Sequence, residues 1–178
     1  MSTPKEDLVM NEFVSLTYRE TLTPCLRRFG EYLLGGRIVG HRSPAGNVWI
    51  PGRGYDPLTM ELTTEADEVE VADIGTVTTF TIISPVQYYG QRETEPFVYS
   101  TVLLDGASNA VFQQQIINIS HDKVRAGMRV KAVWKPREER SLEGLSNRWW
   151  AGLECGIAGW EPNGEPDVPF ETIREHMF

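Results

Sequence analysis

Residues 69–84 have the sequence VEVADIGTVTTFTIIS, a long run rich in β-branched residues. This composition favours strands over helices. Gly75 interrupts the run, and a glycine inside a strand pattern indicates a bend, a bulge or a close approach of another backbone. The stretch therefore predicts a strand that bends or bulges at Gly75 and opens an all-β region.

Further strand signals follow this run along the chain. Asp105-Gly106 is a tight-turn signal, and residues 121–127 predict one helical turn that ends in glycine. Alternating patterns predict four more strands, at residues 97–104, 109–119, 128–134 and 152–160. Five strands with a short helix between the third and the fourth is the plan of an OB-fold, a small and partly open barrel. Periodicity alone also fits another small Greek-key barrel.

A helix is predicted ahead of the β-rich part. Thr23 suits the N-cap, Pro24 suits the first turn, and Gly35-Gly36 ends the helix. Apolar residues recur at helical spacing and give one apolar face: Leu26, Phe29, Tyr32 and Leu33. That face packs either on its own domain or on a partner protein, and the sequence leaves both open.

Between this helix and the barrel lie short strands and turns. Residues 37–41 and 47–50 predict a hairpin across residues 44–46. Residues 61–71, ELTTEADEVEV, are acidic and then alternate into a strand, which predicts the hinge that leads to the barrel.

The C-terminal part, residues 136–178, is rich in aromatic residues. Trp149, Trp150, Trp160, Phe170 and Phe178 occur among acidic residues, prolines and glycines. This content is too aromatic for a disordered tail. The segment is therefore predicted to be ordered, either on its own barrel or on a partner surface.

The bulk composition narrows the class of protein. The chain is 40% hydrophobic and 24% charged, as ordinary soluble proteins are, and its net charge of -8 comes without a basic stripe. Nucleic acid is therefore a poor partner, because binding to phosphates needs clustered Lys and Arg. No apolar run is long enough to span a membrane, and the start MSTPKEDLVMNEF lacks a signal-peptide pattern. We expect a cytoplasmic protein in which Cys25 and Cys155 are free thiols.

Several short motifs occur in a specific order. The most specific are Gly75-Thr76-Val77-Thr78-Thr79-Phe80 and Val124-Arg125-Ala126-Gly127-Met128-Arg129-Val130. Over residues 13–178 the chain resembles the zinc-ribbon/OB-fold acyl-CoA-associated family, which joins a rubredoxin-like ribbon to an OB-fold. The tail motif Gly164-Glu165-Pro166-Asp167 is similar to one branch of that family. Members of this branch pair with lipid-transfer-protein-type, thiolase-like aldolases, which cleave side-chain fragments from steroid-CoA esters in bacteria.

The resemblance implies a small subunit that usually has no reaction of its own. Such a subunit binds a thiolase-superfamily partner and is needed for its activity, and in some complexes the OB-fold lies beside the path of the acyl-CoA substrate. The implied fold is mainly β. Its parts are an N-terminal segment and helix (1–36), a degenerate zinc ribbon (37–66), a five-stranded OB-fold barrel (67–160) and a long ordered C-terminal tail (161–178).

The ribbon departs from the family at its metal ligands. Residues 42–59, RSPAGNVWIPGRGYDPLT, lie where the family carries Cys-x-x-Cys before and after an aromatic-Pro-x-Arg turn. Ser43, Gly46 (or a deletion beside it), Asp56 and Thr59 occupy those positions. A tetrahedral zinc site needs four Cys or His ligands. The chain is therefore predicted to bind no zinc and no other cofactor, and its ribbon is predicted to act through shape and contacts.

The loop Ser84–Pro96, SPVQYYGQRETEP, is the first candidate site. It joins the first two predicted barrel strands, and such loops form the binding edge of an OB-fold. Aromatic side chains and a cation occur together there, which suits a partner interface or the rim of a ligand tunnel: Tyr88, Tyr89, Gln91, Arg92 and Phe97. An ordinary hairpin loop with its aromatics tucked under fits the sequence equally well.

A second candidate site is basic. Lys131, Lys135 and Arg137 cluster with Arg140 near the fourth predicted barrel strand, where they could contact a CoA phosphate. The commoner alternative is that they are solvated and paired with neighbouring carboxylates. The histidines His41, His121 and His176 lie outside any nucleophile motif, so no catalytic residue is assigned.

These observations favour a noncatalytic subunit of a thiolase-superfamily enzyme acting on acyl-CoA thioesters. The specific hypothesis is a steroid side-chain retro-aldolase complex, and the alternative is the small subunit of an acyl-CoA thiolase or acyltransferase complex. A second class, an OB-fold module for single-stranded nucleic acid, predicts a basic groove with aromatics, which the charge balance disfavours. An independent hydrolase or lyase would convert a CoA ester unaided.

The purified chain is expected to carry no stoichiometric zinc, because hydroxyls and glycine cannot replace four thiolates. Elemental analysis of the chain, purified without chelator, measures this. A content approaching one zinc per chain would contradict the prediction.

Overall fold

The computed structural model describes residue 12 and residues 14–85, 94–146 and 151–176. Its α-helices are α1, Pro24–Leu34, and α2, Phe170–Ile173. Its strands are β1, Ile38–Arg42; β2, Val48–Trp49; β3, Glu68–Val71; β4, Ile74–Ile83; β5, Phe97–Leu104; β6, Ala110–Ile116; β7, Arg129–Trp134; and β8, Ile157–Pro162. Among the described residues we find no helix with the length and apolarity that a membrane span requires.

The strands β4 to β8 close into a barrel in the order β4-β5-β6-β8-β7, and β7 pairs back with β4. Neighbouring strands are antiparallel except β6 and β8, which run parallel where Ile116 faces Trp160. A 3₁₀ turn at His121–Lys123 lies between the third and fourth barrel strands. The predicted mainly-β fold with a five-stranded OB-fold barrel is confirmed.

The barrel core follows from the alternation of the strands. Every second residue of β5 is buried, and the Trp160 side chain on β8 is fully buried. Burial of one large apolar side chain stabilises a fold by about 1.5–3 kcal/mol. Gly75 permits close strand contact, since a Cβ atom there would lie 2.5 Å from the carbonyl oxygen of Leu103.

The run 69–84 is divided between two sheets. β3 pairs with β1 outside the barrel, whereas β4 is a barrel strand with a register shift beyond Val77. Asp73, between them, accepts hydrogen bonds from Ala132 N and from Trp134 Nε1, each at 2.8 Å. The bulge that the sequence predicted at Gly75 lies instead between Val77 and Thr79. The sequence also did not predict the break between the two strands. It falls near Asp73, because the two halves of the run have different partner strands.

The ribbon sheet has the order β2-β1-β3, and β1 and β2 form the predicted hairpin. Two residues directly before β6 hold the ribbon against the barrel. Ser108 exchanges hydrogen bonds with the backbone of Val48, through its Oγ (2.9 Å) and its N–H (2.8 Å). The Asn109 amide accepts from Ile50 N and donates to Ile50 O, both at 2.8 Å. The ribbon is thus bonded to the barrel through four backbone groups, two at Val48 of β2 and two at Ile50 directly after it.

Helix α1 begins and ends where the sequence predicted. The Thr23 side chain accepts a hydrogen bond from Leu26 N, and Gly35 is the C-cap. Phe29 and Leu33 are buried in the hydrophobic core of the same chain. Of the two alternatives for this helix, packing on its own chain is the one that the structure shows.

Glu68 joins α1 to the ribbon sheet. Its carboxylate accepts hydrogen bonds from Arg28 Nε (2.7 Å) and from the Tyr32 hydroxyl (2.5 Å). Burial alone raises the pKa of Glu68, but these two hydrogen bonds outweigh it, so that the pKa is lowered from 4.5. The charged carboxylate is therefore favoured in the folded chain.

The described part of the C-terminal segment lies on its own barrel. Arg129 pairs with Asp105 and with Glu165 of the tail, and Arg125 pairs with Asp167. The tail aromatics differ in their environment: Trp160 is a core residue, and Phe170 is exposed. Trp149, Trp150 and Phe178 lie outside the described residues.

Glu68→Gln is expected to destabilise the folded chain by about 1.5–3 kcal/mol at neutral pH, because hydrogen bonds to a charged acceptor are lost. The folded pKa is depressed, so the difference from wild type should shrink as the pH falls below 4.5. Urea unfolding across this pH range measures it. Glu65→Gln is the control, because the Glu65 side chain is 73% exposed and also pairs with Arg28. Equal losses in the two variants would contradict the prediction.

Candidate functional site

The outward side of β6 carries a bulge that exposes an aromatic side chain. Ser100 of β5 pairs with Gln114 and Val102 pairs with Val111, so one residue of β5 opposes two residues of β6. Gln113, inside the bulge, has a φ of 52°, in the left-handed region that non-glycine residues seldom adopt. The bulge turns Phe112 outward, and this residue is 68% exposed.

A buried polar network fixes this bulge. The Gln114 side chain is fully buried, and its Nε2 donates to the Phe112 carbonyl oxygen at 2.7 Å. The side-chain oxygen Oε1 accepts a hydrogen bond from Trp160 Nε1 at 2.9 Å, and the backbone carbonyl oxygen of Gln114 accepts one from the Ser100 hydroxyl at 3.0 Å. Polar groups whose hydrogen bonds are all formed within a core are held rigidly, because any other arrangement of the side chains leaves a buried group without a partner. The exposed position of Phe112 is therefore specified by the core.

In the part of the chain that the structure describes, three open pockets border Phe112. The first, of about 400 Å³, lies between the barrel and the ribbon residues Ile50, Pro51 and Arg53. The second, of about 330 Å³, is lined on the ribbon side by Trp49, Arg53 and Pro57 and elsewhere by residues that include Glu175 and His176. The third is shallower, about 190 Å³, and is lined by β4 and β5 with Phe80 and Tyr99. We call the exposed area formed by Phe112, these pockets and Arg53 the Phe112 surface.

The Phe112 surface is mainly apolar, with few charged groups. Phe80 and Ile82 on β4 are 38% and 42% exposed, and they extend the apolar character along the barrel. Arg53 is exposed and lines two of the three pockets. Aromatic residues beside arginine are typical of protein interfaces. The sequence did not predict this surface. The bulge shows in the uneven spacing of the buried residues Val111, Gln114 and Ile116, but from the sequence Gln114 is indistinguishable from an exposed strand residue.

The predicted loop site falls largely outside the described part of the chain. Tyr88, Tyr89, Gln91 and Arg92 are not among the described residues. Phe97 is described, at the start of β5, where its ring stacks edge-on against Tyr99 with 5.2 Å between the centroids. Tyr99 also lines the third pocket, so Phe97 lies close to the Phe112 surface.

In the predicted basic site, Lys131, Lys135 and Arg140 have partners of their own. Lys131 pairs with Glu161 at 3.2 Å, and Lys135 Nζ donates to the Glu154 carbonyl oxygen at 2.6 Å. The Arg140 guanidinium stacks 5.3 Å from the centre of the Trp134 ring. Arg137 is exposed, in a 3₁₀ turn after β7. Contact with a CoA phosphate stays a prediction for Lys131, Lys135 and Arg137.

The former metal positions lie on two turns of the ribbon. Ser43 and Asp56 are buried, whereas Gly46 and Thr59 are exposed. Asp56 is the only one of the four with an ionisable side chain, and a zinc ion needs four Cys, His or carboxylate ligands. Within the described ranges, no group of three or more His, Cys, Asp and Glu residues is arranged to hold a metal ion. The residues present therefore do not fit the zinc that the ribbon implies.

A hydroxyl, an imidazole and a carboxylate do meet, in the interior of the ribbon. His41 Nδ1 lies 3.0 Å from Thr63 Oγ1, and His41 Nε2 lies 3.6 Å from Glu68 Oε1. Both His41 and Thr63 are buried, and neither lines the pockets beside Phe112. A substrate has no access to a hydroxyl in this position. This cluster stabilises the packing of β1, β3 and α1.

Neither Cys25 nor Cys155 lines the three pockets beside Phe112. Both are free, Cys25 half-buried on α1 and Cys155 buried in the core. Burial raises the pKa of the Cys155 thiol to about 11. A thiol that stays protonated at neutral pH is a poor nucleophile.

The architecture defines the class of protein: an OB-fold barrel that carries a small ribbon sheet and an N-terminal helix. Residues 68–135 match the model of the family described as "ChsH2, C-terminal OB-fold domain". The barrel segment is thus similar to the ChsH2-type OB-fold family, which confirms the resemblance for this part of the chain. A search of the curated proteins found no match to the sequence.

Solved structures of similar fold agree with this assignment. The chain is similar to one described as "Ltp2-ChsH2(DUF35) aldolase", with a TM-score of 0.55 and 18% identity, over 81% of this chain and 98% of that chain. A DUF35-family protein of unknown function from Sulfolobus solfataricus has a TM-score of 0.50 and 19% identity, over 65% of this chain and 81% of that chain. At these identities the likeness concerns the fold.

Gln114→Leu is expected to destabilise the chain by about 2–4 kcal/mol, because Trp160 Nε1 loses its acceptor inside the core and the bulge loses its internal bond. Urea unfolding measures the loss. The matched control is Gln115→Leu. Gln115 is the next residue and is half-buried rather than buried, so this substitution is expected to change the free energy of unfolding by about 0.5 kcal/mol or less. Similar effects of the two substitutions would contradict the structural role of Gln114.

Proposed function

We propose that the chain is a noncatalytic subunit of a cytoplasmic complex with a lipid-transfer-protein-type, thiolase-superfamily enzyme that acts on acyl-CoA thioesters. The specific reaction proposed for the complex is retro-aldol cleavage of a steroid side chain. The catalytic subunit supplies the acid and base groups and most of the substrate site. The small subunit orders the active-site loops of its partner and closes the acyl tunnel.

The match of the barrel to the ChsH2 OB-fold family carries this proposal. The similar fold of the chain described as an Ltp2-ChsH2 aldolase supports it, because that description names ChsH2 together with Ltp2 and an aldolase activity. A fold alone does not define a function, so the proposal also needs a suitable surface on this chain.

The Phe112 surface is such a surface. An exposed aromatic ring between pockets offers an anchor that a partner can enclose, and enclosed aromatic residues contribute much of the binding energy at interfaces. The core network around Gln114 holds the ring in place before binding, so that little conformational entropy is lost on association. The ribbon adds further exposed apolar side chains, Leu58, Met60 and Leu62.

A positioning role is chemically useful to an aldolase. A misplacement of about 1 Å between reacting groups can lower a rate by about a hundredfold. A subunit that orders loops around the thioester therefore raises the rate without contributing a reacting group.

The test is reconstitution with the thiolase-like subunit encoded nearest to this chain in its genome. Size-exclusion chromatography of the two co-expressed chains measures assembly. Turnover is then assayed with the small subunit alone, the large subunit alone and the complex. A steroid-CoA aldol substrate tests the proposed reaction, and a straight-chain 3-ketoacyl-CoA tests the thiolase alternative.

The expected result is a stable complex that cleaves the steroid-CoA substrate, with no turnover by the small subunit alone. Turnover only with the straight-chain substrate would replace the aldolase by a thiolase complex. Conversion of a thioester by this chain unaided, or failure to bind the thiolase-like subunit, would overturn the proposal.

Phe112→Ser is expected to weaken the complex by at least about tenfold while the small subunit stays folded, because an exposed anchor contributes to binding and little to the fold. Titration of labelled small subunit with the catalytic subunit measures the affinity. Phe112→Leu retains an apolar side chain, so this variant is expected to keep most of the affinity for the catalytic subunit. If both variants bound as wild type does, the Phe112 surface would have no part in the interface.

A further inference from the structure

Two turns of the ribbon face each other around a buried carboxylate. The first turn is closed by hydrogen bonds from Ser43 N to Asn47 O (2.7 Å) and from Gly46 N to Ser43 O (2.8 Å). The second is closed by bonds from Asp56 N to Glu61 O and from Met60 N to Asp56 O, both at 2.8 Å. The side chain of Asp56 is fully buried between them. In a zinc ribbon the metal ion occupies the place between such turns.

Hydrogen-bond donors from both turns converge on this carboxylate. Its Oδ1 accepts from Leu58 N (2.8 Å) and Thr59 N (3.3 Å), within the second turn. Its Oδ2 accepts from Asn47 Nδ2 of the first turn at 3.1 Å. The carboxylate of Asp56 thus bridges the two turns directly.

Two more polar atoms face the same carboxylate. Ser43 Oγ and Trp49 Nε1 are buried and form no hydrogen bond of standard geometry. Both nevertheless act on Asp56: the Ser43 hydroxyl is the largest contributor to its lowered pKa, and the Trp49 indole contributes in the same direction. The three nitrogen donors of Asn47, Leu58 and Thr59 present hydrogen atoms to the carboxylate, and the Ser43 hydroxyl and the Trp49 indole are able to donate as well, so the site favours an anion over a cation.

We propose that the Asp56 carboxylate is the internal crosslink of this ribbon and takes over the structural role of zinc. The charges of the site are inverted: a zinc ribbon surrounds a cation with thiolates, whereas this ribbon surrounds an anion with N–H and O–H donors. The ribbon does not fit a metal because the Asp56 carboxylate has replaced zinc as the crosslink between the two turns. The ribbon folds without metal, and Asp56 is a positioning residue for the wall of the Phe112 surface that Trp49 and Pro57 form.

The experiment is hydrogen–deuterium exchange on the full chain, because it measures the ribbon and the barrel separately. Asp56→Asn keeps the size of the side chain but places an amide N–H₂ among donors. Amides of residues 43–62 are expected to exchange at least about tenfold faster in this variant, while the barrel amides of β5 and β6 keep their wild-type rates. Asp67→Asn is the matched control, because among the described residues Asp67 accepts hydrogen bonds from Thr64 alone, within its own 3₁₀ turn.

Metal dependence is measured on the same samples. Exchange of the wild-type ribbon is expected to be unchanged by EDTA and by added zinc. Loss of ribbon protection with EDTA would show that a metal is the crosslink and would overturn the proposal. Equal exchange of the ribbon in Asp56→Asn and Asp67→Asn would overturn it as well.

A milder variant keeps the test decisive if Asp56→Asn does not fold. Asn47→Ala removes one donor from the first turn and leaves the carboxylate in place. It is expected to accelerate exchange in the ribbon alone, by about threefold to tenfold, as the loss of one hydrogen bond implies. Unchanged ribbon exchange in Asn47→Ala would then reject the bridge. None of these measurements involves the partner subunit, so their outcome is independent of the proposed function.

Discussion

Four hydrogen bonds from Ser108 and Asn109 to the backbone of Val48 and Ile50 hold the ribbon to the barrel, and the exposed surface between the two parts depends on them. Without these bonds the buried backbone groups of Val48 and Ile50 would lack partners, at a cost of about 1–3 kcal/mol each. They also place Arg53 and Pro51 of the ribbon opposite Phe112 of the barrel. The Phe112 surface is therefore a joint product of both parts, and neither presents it alone.

The same arrangement explains how a ribbon can lose its metal ligands and keep its shape. Two of its strands are ordered from outside, β2 by the barrel turn and β3 by the contacts of Glu68 with α1. Only the two turns at its tip need a link of their own. The Asp56 carboxylate is sufficient for that limited task, because each turn already carries its own backbone hydrogen bonds.

The sequence predicted the fold well where local signals act alone. Thr23, Pro24 and Gly35 define α1, and alternation with Asp105-Gly106 defines the β5–β6 hairpin.

Tertiary contacts decided the rest. The run 69–84 has one composition throughout, so its division between two sheets depends on pairing with β1 and β5, which no local pattern encodes. Gln114 lies within three consecutive glutamines, which suggest an exposed strand, yet its amide is a core group because Trp160 lies opposite. Asp56 was identified as a vacated ligand position, and its donors become apparent only when the two turns are brought together.

The position of β8 has a consequence for synthesis of the chain on the ribosome. This last strand inserts between β6 and β7, so those two strands have no direct pairing with each other. The family match ends at residue 135, before β8 begins at Ile157. A nascent chain that has emerged only to β7 therefore presents two unpaired strand edges and lacks the indole that fills the core. Translation must therefore continue through β8, including Trp160, before the barrel can close cooperatively.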